Sequence, residues 1–348
     1  MNPTIALLLA QDGLTNGVIY ALVAIAILLV FLVTRVLFVP QGEFVVLGAI
    51  TLAELQRGQT PGTLWLLVAL AAVSVVVETL RSWTTKDWRN WLRQAAFCVV
   101  ALAIALPVSF AARGSSSLAL QMLAVILLIA PMGPMLYWAA FKSIAHSSIL
   151  TLLFAAVAVH YVLQGLMLPL FGPEGFRIEP FVQGRIDIGI TRLSLQLIVV
   201  TIVFLALVAA LWAFFRHSIL GQILRATSVN RIGARLVGIA PDVSGATAFG
   251  LASLIGAVSG ILIAPLTTIY YDSGFLLALK GFVGAVVGGL ASFPLAALGS
   301  LLVGTLESVS SFYASALKES LVFAALVPIL LYMSIKQLTG RGGEEHDE

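Results

Sequence analysis

Charged residues are scarce in this sequence. Asp, Glu, Lys and Arg make up 10% of its 348 residues, whereas they make up about a quarter of a soluble globular domain. Hydrophobic residues reach 60%, which is too many for a disordered chain and for a single water-soluble core. The composition argues against a soluble enzyme, a nucleic-acid binder and a secreted disulfide scaffold. It predicts an all-α, polytopic transmembrane helical bundle.

Groups that serve catalysis, metal binding or nucleotide binding are also sparse. The only cysteine, Cys98, lies in an apolar run, so we interpret it as a small buried hydrophobe. No two of the four histidines have the spacing of metal ligands. None of the five lysines follows a glycine, which excludes a Walker A loop. The sequence therefore predicts no catalytic residues, no metal and no cofactor, and any ATP that powers the function would bind to another subunit.

Long apolar runs dominate the chain, and a transmembrane helix needs about 20 such residues. The run at 37–54 is interrupted by Pro40, Gly42 and Glu43, which predicts a broken or re-entrant helix near the N-terminus. The run at 275–291 is short and rich in glycine. We predict about 9–11 spans. The candidate runs are 17–34, 37–54, 62–80, 94–112, 118–140, 149–168, 193–215, 243–265, 275–291, 295–313 and 320–336.

Lysine and arginine are distributed unevenly between the connections. Twelve lie on one side and six on the other, so the positive-inside rule places the twelve in the cytoplasm. The C-terminus is then cytoplasmic and, with an odd number of spans, the N-terminus is outside. The longest cytoplasmic connection is 216–242 and the longest external one is 169–192. Residues 340–348 hold four acidic residues and one arginine, which predicts a disordered acidic tail.

Ionisable side chains within apolar runs are costly and therefore informative. Glu43 follows Gln41 at the predicted helix break, where the two residues either frame a translocation path or brace the bundle. Lys280 and Glu307 lie in neighbouring predicted helices, so they either form a buried ion pair for packing or line a path. Glu78 lies near a span end and is interpreted as interfacial, and His160 as a hydrogen-bonded structural histidine.

Small residues are concentrated in the last third of the chain. Gly256 and Gly260 form one GxxxG pattern, and Gly284 and Gly288 form another. Glycines at this spacing create a flat helix face that another backbone can approach closely. The patterns predict tight helix packing, either within this chain or against a partner permease.

A short amphipathic segment lies within the connection at 216–242. Residues at helical spacing between 221 and 239 are small or apolar, while Arg225, Arg231 and Arg235 stay polar. The small residues Ala226 and Ala234 would allow close approach. We predict one helix here, which either docks in a groove of a soluble partner or lies on lipid. Residues 81–93 mix Trp with Lys and Arg, which is typical of a segment at the membrane interface.

Three stretches resemble the LivH/LivM-like inner-membrane permeases of branched-chain amino acid ABC importers. The first is the coupling loop of that family, which has Arg-Ala, a later Ala and Leu-x-Gly-Ile. The second resembles its Asn-Phe-Ala-(His/Gln)-Gly-Glu element, with Leu37 in place of the Asn. The family usually has an acidic pair in the coupling loop, where this chain has Val229 and Asn230. The matching stretches are Arg225-Ala226, Ala234 and Leu236-Val237-Gly238-Ile239 in the loop; Phe38 to Phe44; and Leu279 to Pro294, continuing at Gly304-Thr305-Leu306-Glu307.

The resemblance implies a single permease domain over 1–348, in the bacterial inner membrane, that imports branched-chain amino acids or related small polar or amphipathic solutes. It implies a second homologous permease subunit, two cytoplasmic ATP-binding subunits docked on the coupling loop at 216–242, and an external solute-binding protein. Residues 80–125 are extra material relative to the family, with no function assigned from the sequence. The alternatives are an ion- or proton-coupled secondary transporter, with Glu43, Lys280 and Glu307 as coupling groups, and a membrane scaffold without transport.

Overall fold

The computed structural model describes residues 3–187, 192–290, 292–324, 327–328 and 331. Nearly all of its regular structure is helical, which confirms the predicted all-α fold. The helices are α1 (Pro3–Thr34), α2 (Gln41–Gln56), α3 (Thr63–Thr85), α4 (Trp88–Ala112), α5 (Leu118–Ile129), α6 (Met132–Leu136), α7 (Ile149–Phe171), α8 (Leu195–His217), α9 (Ile219–Val229), α10 (Arg231–Leu236), α11 (Pro241–Ile263), α12 (Gly274–Val287), α13 (Phe293–Tyr313) and α14 (Lys318–Ala324).

The remaining elements are short. A π-helix (Tyr137–Phe141) and a 3-10 turn (Lys142–Ile144) extend α6, and a second 3-10 turn (Ser315–Leu317) precedes α14. Strand β1 (Arg185–Asp187) pairs antiparallel with β2 (Arg192–Ser194), with Ile186 opposite Leu193. This hairpin lies within the connection that the charge distribution predicts to be external.

Eight of the eleven predicted runs coincide with helical stretches that are long and apolar enough to cross a membrane. Two others are shorter, since α2 has 16 residues and α12 has 14. The run at 320–336 lies largely outside the described residues, as does the predicted acidic tail at 340–348. The long stretches are Thr4–Thr34, Thr63–Thr85, Trp88–Ala112, Leu118–Ile144, Ile149–Phe171, Leu195–His217, Pro241–Ile263 and Phe293–Tyr313.

The chain is non-helical just before Pro40, one of the three residues at which the sequence predicts a break, whereas Gly42 and Glu43 lie within the continuous helix α2. Helix α1 ends at Thr34, Arg35 has a φ of 63°, and α2 begins at Gln41 directly after Pro40. Proline lacks a backbone N–H and is tolerated at a helix start but not in a helix interior. The chain therefore re-enters helical geometry at Gln41, which puts Glu43 in the first turn of α2.

The described chain divides into two compact units, 1–28 with 182–202 and 279–348, and 29–181 with 203–278. The larger unit is built around α2, in which 15 of the 16 residues are buried. Helix α2 lies against α11 through small residues, because a Cβ on Gly260 would overlap the carbonyl oxygen of Val45. Gly256 faces Phe44 in the same way, so this GxxxG pattern packs within the chain.

The smaller unit packs its helices through glycine as well. A Cβ on Gly284 would overlap Ser300 of α13, and one on Gly288 would overlap Leu295 and Ala296. This GxxxG pattern also packs within the chain. The unit boundaries at 28, 202 and 278 fall inside the helices α1, α8 and α12. The single domain over 1–348 stays a prediction.

Candidate functional site

The Glu43 cluster, which we define as Gln41, Glu43, His160 and Gly274, lies at the helix break. The Glu43 side chain is fully buried, and its Oε1 lies 2.9 Å from Nδ1 of His160 on α7. Glu43 Oε1 and His160 Nδ1 therefore form a buried pair, while Glu43 Oε2 has no hydrogen-bond partner among the described residues. Buried carboxylates are normally paired and hydrogen-bonded. The cluster therefore contains buried polar atoms that no described residue satisfies.

Two glycines allow the start of α12 to approach this carboxylate. A Cβ on Gly42 would overlap the carbonyl oxygen of Gly274, and a Cβ on Gly274 would overlap the Glu43 carboxylate. The next residue, Phe275, stacks on the His160 ring with centroids 5.0 Å apart. Glycine at 42 and 274 is therefore a condition for the close approach of α2, α7 and α12.

Gln41 connects the start of α2 to α11. Its Nε2 donates a hydrogen bond to the carbonyl oxygen of Ala252 on α11 at 3.0 Å, while its Oε1 is buried without a partner. Gln41 Oε1 and Glu43 Oε2 are thus two unpartnered oxygen atoms within one turn of helix. Such oxygens can accept hydrogen bonds from an ammonium, amide or hydroxyl group of a ligand.

The Lys280 cluster, defined as Tyr20, Lys280, Glu307 and Glu319, is bonded differently. Lys280 Nζ lies 2.7 Å from Glu307 Oε1 and 3.1 Å from Glu319 Oε1. The Tyr20 hydroxyl donates to Glu307 Oε2 at 2.6 Å. Both Glu307 oxygens are therefore satisfied, and this arrangement suits a structural brace. The sequence pairs Lys280 with Glu307 but gives no signal for Tyr20 or Glu319.

A third cluster consists of Glu78, Lys142 and Asp242. Lys142 Nζ lies 2.7 Å from Glu78 Oε1 and 3.8 Å from Asp242 Oδ2, and both Lys142 and Glu78 are buried. The π-helix at 137–141 packs against α3 and brings Lys142 to Glu78, a pair that sequence patterns do not indicate. The interfacial interpretation of Glu78 stays a prediction.

The predicted coupling segment is two helices rather than one. Asn230 has extended backbone geometry, and its Oδ1 accepts a hydrogen bond from Gly233 N at 2.8 Å, so it ends α9 and caps α10. Helix α10 ends at Leu236, and Gly238, two residues later, has a φ of 87°. Gly238 N bonds to Arg235 O, and Ile239 N bonds to Ala234 O, which is a Schellman cap. The Leu-x-Gly-Ile motif is therefore a helix stop.

The segment has one face on the protein and one face open. Leu224, Thr227 and Ala234 are buried, with Leu224 against Val33 and Ala248. Ala234 is only 5% exposed, so it packs inward and is not available for the close approach of a partner. Arg225, Ala226 and Gly238 are exposed, and Ile239 is half-buried. Apolar side chains dominate the open face: Val229 (82% exposed), Ile232 (76%), Leu236 (83%) and Val237 (77%).

Two arginines anchor the segment to the turn after Lys142. Arg231 Nη1 donates to the carbonyl oxygen of Ala145 at 3.3 Å, and Arg235 Nη2 lies 3.4 Å from His146 Nε2. These contacts hold α10 in place while its apolar side chains stay open. In the part of the chain that the structure describes, no group of three or more His, Cys, Asp or Glu side chains could hold a metal ion.

Comparisons with known proteins place this chain in a family. Residues 9–332 match the family described as branched-chain amino acid transport system / permease component. The chain is 25% identical to the high-affinity branched-chain amino acid transport system permease protein LivH of Escherichia coli K12, over 92% of each protein. It is 29% identical to LivH of Salmonella typhimurium over 56% of this chain and 65% of that protein.

A third relative is the permease protein BraD of Pseudomonas aeruginosa, which is 30% identical over 41% of this chain and 47% of its own length. No solved structure matches the chain. The family match covers most of the sequence and includes the helix break, the coupling segment and both GxxxG patterns. This chain therefore belongs to the family of permease components of branched-chain amino acid transport systems.

Proposed function

We propose that this chain is a permease subunit of an ATP-driven ABC importer for branched-chain amino acids or related small polar or amphipathic solutes. Family membership supports the transport class. The observation that carries the mechanism is the open apolar face of α9 and α10, held between two apolar spans. An exposed row of Val, Ile and Leu between membrane spans fits a hydrophobic groove of a soluble partner.

The partners follow from this arrangement. Two cytoplasmic ATP-binding subunits dock on the coupling segments of this chain and of a second, homologous permease, and an external binding protein delivers the solute. Asn230 is occupied as a helix cap and Val229 is exposed. Docking at the positions where the family has an acidic pair is therefore apolar. Closure of the ATP-binding subunits shifts the permease between inward- and outward-open states.

The Glu43 cluster is the part of the path that we expect to meet the solute. Its unpartnered oxygens accept hydrogen bonds from the ammonium group of an amino acid, and the break in the backbone leaves it adjacent to a non-helical stretch. Broken helices at membrane depth usually line cavities or protein interfaces. The same carboxylate beside an imidazole also favours the second candidate, a proton-coupled secondary transporter.

Uptake in proteoliposomes separates the two candidates. The importer requires ATP, the ATP-binding subunits and a soluble binding protein, and it is indifferent to the proton gradient. Uptake driven by a proton gradient without ATP would overturn the importer and support the secondary transporter. Absence of transport under every condition would leave a membrane scaffold.

Docking is tested by Leu236→Asp, which places a charge on the open apolar face without touching the protein interior. We expect ATP-dependent uptake to fall at least about tenfold, since burial of an unpaired carboxylate costs several kcal/mol. Val182→Asp is the matched control, because Val182 is also exposed and apolar but lies in the connection predicted to be external. Equal uptake by both variants would contradict docking at α10.

Chemical labelling tests which side of the membrane the segment faces. Leu236→Cys adds one exposed thiol, and the native Cys98 is buried and gives low background. A membrane-impermeant maleimide should label inverted vesicles and leave right-side-out vesicles unlabelled. Labelling from the outside would place the segment on the wrong side for an ATP-binding subunit.

A further inference from the structure

A cavity of about 560 Å³ lies beside α4, the helix that falls in the extra segment at 80–125. Its other walls are the stretch from Pro134 to Lys142, residues Phe214 and Leu220, and the first turns of α11. The volume is typical of ligand sites, which measure roughly 300–1,000 Å³. Leu220, Ala240 and Asp242 of the connection at 216–242 line it, whereas no residue of the Glu43 cluster or of the open apolar face of α9 and α10 does.

The cavity has both polar and apolar lining residues. Lys142 and Asp242 lie 3.8 Å apart in one part of the lining, while Phe97 and Trp138 meet edge-to-face in another, with centroids 5.3 Å apart. On each of three walls, a polar lining residue and an apolar one lie about one helical turn apart: Arg93 and Phe97, Lys142 and Trp138, and Asp242 and Ala246. The cavity therefore fits an amphipathic ligand.

Arg93 leaves an excess of positive charge among the residues that line the cavity. Lys142 is neutralised by Glu78 and Asp242, and Glu78 also lies 4.0 Å from Arg81. Arg93 has no ion pair or hydrogen bond to any residue that the structure describes. A free guanidinium at the mouth of an apolar cavity attracts an anionic group, and its planar fork matches a phosphate.

Helix α4 separates this cavity from the surroundings of the protein. Only 22% of the most apolar stretch of α4 is buried inside the protein, and Leu92, Val99 and Ile104 are exposed along the helix. The exposed Trp83 and Trp88 flank its start, where Trp typically lies at the headgroup level of a bilayer. A ligand that reaches Arg93 from the bilayer therefore enters beside the headgroups.

We propose that this cavity holds one phospholipid, with its phosphate on Arg93 and an acyl chain against Phe97, Trp138 and Phe214. Basic pockets between transmembrane helices on the cytoplasmic side bind lipid headgroups in this manner. The extra segment at 80–125 then has a function, because α4 builds the outer wall of the lipid site. The proposal does not depend on which solute the permease carries.

The test measures phosphatidylglycerol binding to the full chain, purified from membranes with any subunits that co-purify, by native mass spectrometry. Arg93→Gln should weaken binding roughly fivefold, the effect of one basic residue on an anionic lipid. Arg89→Gln is the matched control, since Arg89 is an exposed arginine one turn earlier on α4 that does not line the cavity. Thr247→Phe fills the cavity and should remove one bound lipid per chain.

Equal lipid binding by the wild type, Arg93→Gln and Thr247→Phe would overturn the lipid site. So would displacement of the lipid by leucine at concentrations that saturate transport, because the cavity would then belong to the solute path. If Arg93→Gln proves too unstable to purify, Thr247→Phe tests the same cavity by steric filling. Loss of uptake with lipid binding intact would count against the proposed function and leave this inference standing.

Discussion

Two buried glutamates in this chain have opposite surroundings. Glu307 accepts a hydrogen bond from Tyr20 on one oxygen and pairs with Lys280 on the other. Glu43 has one oxygen 2.9 Å from His160 Nδ1, while its other oxygen has no hydrogen-bond donor among the described residues. From the sequence, both glutamates have the same two interpretations, a brace or a path. The structure distinguishes them by how fully each carboxylate is satisfied.

This difference separates stability from function. Removal of either partner of a satisfied buried ion pair is strongly destabilising, because the remaining charge is left in a medium of low dielectric constant. An unsatisfied buried carboxylate costs stability, and such a cost is typical of sites that retain polar groups for activity. We therefore expect changes at Lys280 to affect folding first and changes at Glu43 to affect transport first.

The largest expected effect on stability is that of Lys280→Met. Removal of the cation leaves Glu307 buried and charged, which costs about 3–5 kcal/mol of unfolding free energy. The double variant Lys280→Met with Glu307→Leu should lose less than the sum of the single variants, and denaturant unfolding in detergent measures both. Lys318→Met is the control, since the Lys318 side chain is 42% exposed and lies 4.0 Å from Glu319. Purely additive losses would mean that Lys280 and Glu307 do not stabilise each other.

Glu43→Gln should give the reverse result. Glutamine keeps the shape but removes the charge, so the melting temperature should stay unchanged or rise while uptake falls about tenfold. Glu307→Gln is the matched change in the other cluster and should lower the melting temperature. If Glu43→Gln destabilises the protein as much as Glu307→Gln, Glu43 is a brace as well.

Gly238→Val should alter transport while leaving both clusters intact. Gly238 has a φ of 87° and open space around it, so any other residue there costs roughly 1–2 kcal/mol of local strain. We expect α10 to shift and ATP hydrolysis to continue without matching uptake. Gly165→Val is the control, because Gly165 also has open space but lies within α7 without a positive φ. Normal coupling in Gly238→Val would show that the helix stop is dispensable.

The smallest effect is expected for Asp242→Asn. Its carboxylate is 49% exposed and 3.8 Å from Lys142, so its loss should cost less than about 1 kcal/mol. Glu78→Gln sharpens the contrast, because Glu78 is buried against Lys142 at 2.7 Å and its loss should cost several times more. Equal losses in thermal unfolding would mean that burial does not set the strength of these pairs.

Local patterns in the sequence predicted much of the fold. Eight apolar runs became long helices, and Pro40 interrupted the N-terminal helix as expected, because span length and proline geometry act over a few residues. The two GxxxG patterns lie at close helix contacts, as their flat faces predict. The prediction of a single helix over 221–239 was wrong, because Asn230 ends α9 and caps the N-terminus of α10.

Partners that lie far apart in sequence could not be predicted. Nothing near Glu43 points to His160, and nothing near Glu307 points to Tyr20, although each pair lies within 3 Å. Lys142 lies just beyond the predicted run at 118–140, yet it is buried because the preceding π-helix packs against α3. Periodicity indicates which face of a helix is apolar, but not which residue of another helix that face will meet.

Hydropathy, proline and charge act locally, so the amino-acid order alone predicts a membrane-embedded helical protein with a break before Pro40 and a basic amphipathic connection. Which buried charges are paired became visible only in the folded chain. Pairing depends on helix register and rotation, which are set by packing along glycine faces such as Gly256–Gly260. For that reason the brace at Lys280 and the open carboxylate at Glu43 became distinguishable only once the helices were in contact.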